Sequence, residues 1–175
     1  MKFNVTVLYL NTNIFQMNQS DQKDPLAAMR FRAMDLLARR EHSRVELQRK
    51  LRDKFPEHVE LIDTVIAGLM RDQLQSDERF AEAFVSSRTK KGQGPHRISL
   101  ELQQRGVSDS IIDAVLSIND ITWYQLARDV LDKKYGGKPC SDFKEQAKRR
   151  QFLHYRGFNS DQISACFNST DFSDD

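Results

Sequence analysis

This 175-residue chain has little of several residue types: two cysteines, four prolines, seven glycines and one tryptophan. Cys140 and Cys166 cannot build a disulfide framework, and neither stands in a Cys-x-x-Cys pair or beside a histidine at metal-ligand spacing. A reducing cytosol is therefore the expected compartment. Glycine and proline are too sparse for a collagen-like or low-complexity chain. No run approaches the roughly 20 uninterrupted apolar residues of a membrane-spanning helix, so no membrane association is expected. Neither charge sign dominates, with 27 Lys and Arg against 25 Asp and Glu. What the chain does have is 39% hydrophobic and 30% charged residues, enough for a packed core under a well-solvated surface.

Catalytic patterns are also missing. His42, His58, His96 and His154 are scattered without the spacing of a helical metal site. The segment Lys91-Gly-Gln-Gly94-Pro95 lacks the Gly-Lys-Ser/Thr ending of a phosphate loop and follows no strand. It reads as a flexible loop ending in a proline-started helix. There is no Gly-x-Ser-x-Gly, and the acidic residues fall on polar helix faces, which leaves no nucleophile and base to pair. The expectation is a protein that is not an enzyme and needs no cofactor or metal.

Residues 1–16 are β-branched, weakly alternating and unlike anything downstream. The apolar run from Val5 to Leu10 is short, Lys2 is its one basic neighbour, and no small-residue cleavage site follows, which argues against a signal peptide. Residues 1–16 read as a flexible leader or a single edge strand, with 1–24 set apart as the leader and Met17 as an alternative start. From Pro25 the spacing is helical. Leu26, Met29, Ala33, Leu36 and Leu37 make one stripe; Ser43 and Glu46 form a capping box before Val45, Leu47 and Leu51; and Leu61, Ile62, Val65, Ile66, Leu69 and Met70 make a third. A second set follows. Ser76 and Asp77 cap a helix with Phe80, Ala83, Phe84 and Val85, Pro95 opens one with Ile98 and Leu102, and Ser108 caps one with Ile111, Ile112, Val115 and Leu116. The third set has Trp123, Leu126, Ala127, Val130 and Leu131, then a helix from about Ser141 to Tyr155, then Ile163 and Phe167.

These sets share a period. Leu51, Leu102 and Leu153 stand 51 residues apart, as do Lys54, Arg105 and Arg156. Gly106 and Gly157 each follow a base and precede an apolar residue, the pattern of a left-handed helix end. The predicted fold is all-α: three tandem three-helix repeats over 25–75, 76–119 and 120–168 with an acidic tail at 169–175, forming an elongated molecule with a long concave surface. A compact all-α globule is the alternative.

Charge follows the same division. Residues 1–87 are neutral in sum, 88–156 carry 14 bases against 8 acids, and 157–175 carry four acids and no base. The bases form two groups, Arg88, Lys90, Lys91 and Arg97 around the glycine loop and Lys144, Lys148, Arg149 and Arg150 on the long helix. A solvated face is one account of them. Contact with phosphates is the other, and it would be salt-sensitive and tolerant of sequence.

Together, Asp77-Glu-Arg-Phe-Ala-Glu-Ala-Phe-Val-Ser-Ser-Arg88, Gly92-Gln-Gly-Pro95-His-Arg-Ile98, Leu102-Gln-Gln-Arg-Gly106-Val107 and Arg149-Arg-Gln-Phe-Leu-His-Tyr-Arg-Gly157-Phe158 resemble the RecX family of recombination regulators. The resemblance implies a cytoplasmic bacterial protein that binds the RecA recombinase along its filament on single-stranded DNA; direct contact with the DNA is a further option, and a monomer is expected. It further implies damping of strand exchange, ATP hydrolysis and co-protease activity in recombination and DNA repair. It carries contact roles onto Arg88, Lys91, Gly94, Pro95 and Arg97, and onto Arg149, Arg150 and Arg156. Three-helix units also allow a helix-turn-helix transcription factor, and an adaptor without a nucleic-acid role is a third possibility.

Overall fold

The computed structural model describes residues 24–118, 122–138, 140 and 142–167. The expected leader, apart from Asp24, and the acidic tail lie outside the described residues. Within them are nine α-helices, one 3-10 turn and no strand. They form two compact units, the first running to Phe80 and the second from Ala81.

In the first unit, α1 (Pro25–Arg39) starts where Asp24 accepts a hydrogen bond from the Leu26 amide and proline takes the first helical position. α2 (Arg44–Lys54) is capped by Ser43, whose hydroxyl accepts from the Glu46 amide at 3.1 Å. A 3-10 turn (Pro56–Leu61) leads into α3 (Ile62–Arg71), and α4 (Asp77–Thr89) begins where Ser76 Oγ accepts from the Arg79 amide. Met29, Ala33, Leu36, Leu47, Leu51, Ile62, Val65, Ile66 and Leu69 form the core. The predicted stripes are narrower than expected, because Val45 and Met70 are both 42% exposed. Val45 sits two positions from Leu47, on the far side of α2, and Met70 lies about 100° round from Leu69.

A buried polar cluster joins the loops of this unit. His42 Nδ1 is 3.0 Å from Glu46 Oε2, which also accepts from Arg40 at 2.9 Å. Gln75 donates to the His42 carbonyl at 3.2 Å and to Asp77 at 2.8 Å, and Asp77 accepts from the Arg44 amide. Burial first, and then the Arg40 charge, push the imidazole below its ordinary value, against the upward pull of Glu46.

The second unit holds the rest of α4, then α5 (Pro95–Gln103), α6 (Asp109–Ile118), α7 (Trp123–Tyr135), α8 (Phe143–Arg156) and α9 (Ser160–Ala165). Ala81, Val85, Ile98, Leu102, Val107, Ile112 and Val115 are buried. Ala83, expected in the core, is exposed, and Ala81, two positions away on the opposite side of the helix, takes its place. Ala127, Leu131, Leu153, Phe158 and Ile163 make a further cluster, with Phe167 packed on it from beyond the end of α9. α8 starts at Phe143 rather than Ser141, because Asp142 accepts from the Lys144 amide and so fixes the cap.

The 51-residue period marks equivalent packing positions: Leu51, Leu102 and Leu153 are each fully buried. Gly106 (φ 75°) and Gly157 (φ 92°) are both left-handed. The amides of Val107 and Phe158 each reach back 3.2 Å to the carbonyls of Leu102 and Leu153, so both copies end their helices with one motif.

Candidate functional site

The glycine loop that leads into α5 is not the flexible segment its composition suggests. Gly94 N–H donates to the Arg156 carbonyl at 2.8 Å and His96 N–H to the Gly157 carbonyl at 3.1 Å. The contact is close enough that a Cβ on Gly94 would lie 2.5 Å from the Gly157 backbone. The loop is therefore bolted to the end of α8, and Pro95 opens α5 directly above that joint. Glycine composition suggests mobility only when nothing packs against the backbone. Here the missing side chains let two backbones meet.

This joint brings three of the predicted basic residues together, two from the glycine-loop group and Arg156, but none of the group on the long helix. Lys90 and Lys91, at the end of α4, and Arg156, at the end of α8, line a cleft of about 380 Å³. Lys133 and Lys134 in the last turn of α7 complete its cationic wall, against the single carboxylate of Asp129. Leu126, Val130 and Phe152 supply apolar lining. Arg156 is oriented by a 2.7 Å hydrogen bond to the Lys91 carbonyl. The Lys134 ammonium lies 4.2 Å from the Phe152 ring centroid and the Arg156 guanidinium 5.2 Å from it. The side chains of Lys90, Lys91 and Lys133 have no partner among the described residues. Five cations around one apolar-lined depression hold a positive potential that suits an anionic ligand such as a phosphodiester chain.

Most of the other predicted site residues have structural partners. Arg88 Nε is 2.9 Å from Glu101 and its guanidinium covers Phe84; Arg97 donates to Glu101 at 3.2 Å and to the Tyr155 carbonyl. Burial works to raise the Glu101 carboxyl, but the Arg97 hydrogen bond and the charges of Arg88 and Arg105 outweigh it and hold the group below its ordinary range. Arg149 is 8% exposed: it pairs with Glu145 at 3.1 Å, donates to the Lys138 carbonyl at 2.6 Å and lies over Tyr135. Arg150 reaches Ser164 at 3.5 Å and covers Phe167. Gly94 and Pro95 shape the joint. Lys144 and Lys148 remain exposed on the outer face of α8 and do not line the cleft.

Sequence reasoning did not select Lys133 and Lys134. Two lysines in the last turn of an amphipathic helix are the ordinary complement to the helix dipole, and nothing local distinguishes them from that role. Among the described residues no group of His, Cys, Asp and Glu is placed to hold a metal ion. Burial raises the Cys166 thiol above its ordinary value, which keeps it protonated.

Three family models cover the helical part of the chain: RecX, first three-helix domain, over residues 30–69; second, over 76–116; and third, over 121–167. The regulatory protein RecX of Pseudomonas tolaasii is 46% identical over 151 residues, covering 86% of this chain and 97% of that one. The chain belongs to the RecX family. The regulatory protein RecX of Halorhodospira halophila is 43% identical over 150 residues, covering 85% of this chain and 91% of its own length. The crystal structure of RecX from Lactobacillus salivarius matches with a TM-score of 0.69 at 25% identity, over 82% of this chain and 95% of that one. The cleft draws on two of the RecX domains, with Lys90 and Lys91 in the second and Lys133, Lys134 and Arg156 in the third.

Proposed function

We propose that this chain acts by binding: it engages the RecA recombinase on single-stranded DNA and modulates, mainly by inhibition, the recombinase, ATPase and co-protease activities of that filament. The cationic cleft carries this reading. Three unpartnered lysines and an oriented arginine at the joint offer a phosphate-binding surface. Mechanistically, phosphates of the nucleoprotein polymer would settle against Lys90, Lys91, Lys133 and Arg156, while the neighbouring helices meet protein and obstruct filament growth. ATP turnover then changes because the filament changes, with no chemistry done by the regulator itself.

The chain's membership of a family whose relatives are named regulatory proteins supports the same reading. No helix among the described residues is long and apolar enough to cross a membrane, which is compatible with action in the cytoplasm. A helix-turn-helix reader built on the second domain would need the first turn of α5 free to enter a major groove. That turn is instead engaged with α8 through His96 and Arg97. The deciding experiment follows ATP hydrolysis by RecA on single-stranded DNA as this protein is added, with filament length scored by electron microscopy. Suppressed hydrolysis and shortened filaments are expected; unchanged values for both would reject the proposal.

A further inference from the structure

Helix α8 has a second surface that its packing does not use. Phe143, at its first position, is 84% exposed, and Tyr155, near its end, is 69% exposed. Between them Lys144, Ala147, Lys148 and Gln151 are also exposed. At about 100° per residue all of these fall within one arc of roughly 140°, and the two aromatics stand about 18 Å apart along the axis. The arc contains no carboxylate: Glu145, the one acid in α8, faces the other way onto Arg149. Lys144 and Lys148 have no side-chain partner among the described residues.

We propose that this outward face of α8 is a stacking strip for single-stranded DNA, with bases laid against Phe143 and Tyr155 and phosphates against Lys144 and Lys148. The inference deepens the nucleic-acid half of the function proposed above and rests on it. Aromatic faces alternating with cations are the arrangement that binds a single strand without regard to sequence, since every base has a flat face and every linkage a charge. An apolar protein groove would call for aliphatic residues between the two rings, where this face has two lysines, a glutamine and a histidine beside a single alanine. The row Phe143, Ala147, Gln151, Tyr155 winds about 120° round the helix, so the strand would cross α8 obliquely along that ridge.

The test measures fluorescence anisotropy of a labelled oligothymidylate, and of an abasic strand of equal length, with the full-length protein and without RecA. Phe143→Ala with Tyr155→Ala should weaken oligothymidylate binding at least about fivefold for each ring removed. The variant should no longer distinguish the two strands, whereas the unaltered protein prefers the one with bases. Lys144→Glu with Lys148→Glu should weaken binding to both strands alike. Phe143→Leu with Tyr155→Leu repeats the comparison while keeping apolar bulk, should the alanine variant melt early. Unchanged affinity in the aromatic variants, or equal loss on both strands, would overturn the stacking strip. So would an aromatic variant that keeps its DNA affinity yet no longer affects RecA, because the face would then serve a protein partner. If the unaltered protein leaves RecA hydrolysis unchanged but shows the aromatic-dependent preference, the filament reading fails and this inference stands.

Discussion

Replacing Gly157 by alanine tests how the joint between α5 and α8 is held. At φ 92° and ψ 22° an L-residue is in the left-handed region, at a cost of roughly 1–2 kcal/mol. The added Cβ would also lie 2.4 Å from Arg97 Cβ and 2.6 Å from Arg97 N, so the two segments must part. Parting removes the bonds from Gly94 to Arg156 at 2.8 Å and from His96 to Gly157 at 3.1 Å, each worth about 1 kcal/mol net. The expected loss is about 3–4 kcal/mol. Gly136→Ala is the control, since Gly136 has φ 70° but a Cβ there would meet nothing within 4 Å, so only the conformational cost applies. The two variants should differ by about 2 kcal/mol in urea unfolding. Hydrogen exchange should accelerate at the Gly94 and His96 amides in Gly157→Ala alone. Equal destabilisation in both variants, or unchanged protection of those two amides, would refute the reasoning.

Arg149→Ala should cost roughly 1–3 kcal/mol, since the charged hydrogen bond to the Lys138 carbonyl and the contact with Tyr135 are both lost, whereas Lys148→Ala should leave the melting temperature unchanged. Thermal melts of the pair distinguish a packing arginine from a surface lysine. For His42, the folded state holds the imidazole below its ordinary 6.5, so stability is full above that value and declines as pH falls from 6.5 through the lower folded value. Urea titrations at neutral and mildly acidic pH should show this slope, and His42→Gln should remove it. Charge reversal at Lys91 and Lys133 should weaken the effect on RecA hydrolysis. It should also lower the salt dependence of single-strand binding by about 0.7 in log–log slope per phosphate contact removed; an unchanged slope would place the phosphates elsewhere.

Much of the fold is legible in the sequence because helical spacing and helix ends are local signals. The buried trio Leu51, Leu102 and Leu153, and the left-handed ends at Gly106 and Gly157, follow from residues within a few positions of one another. Stripe membership is less legible: Val45, Met70 and Ala83 are apolar but lie off the buried arc, and composition does not reveal where that arc is centred. The site is only partly legible. Charge density locates the basic block, but the sequence cannot show that Arg97 spends a donor on a carbonyl 58 residues away, or Arg156 on one 65 residues away. The arginines stand out for their charge, yet several of them organise the fold. The lysines that remain open include Lys133, whose position becomes meaningful only when α7 is set beside the loop.

The bonds at the joint also impose an order on synthesis. The amides at the start of α5 find their acceptors in the carbonyls that close α8, so a chain emerging from the ribosome cannot complete its second three-helix domain when that domain's own last residue appears. Gly94 and His96 must wait, hydrated, until residue 157 has been made. Domains generally fold as units during translation, the earlier one first. Here the second unit's glycine loop stays open until the third domain's long helix has formed, and the cationic cleft is assembled in that same late step.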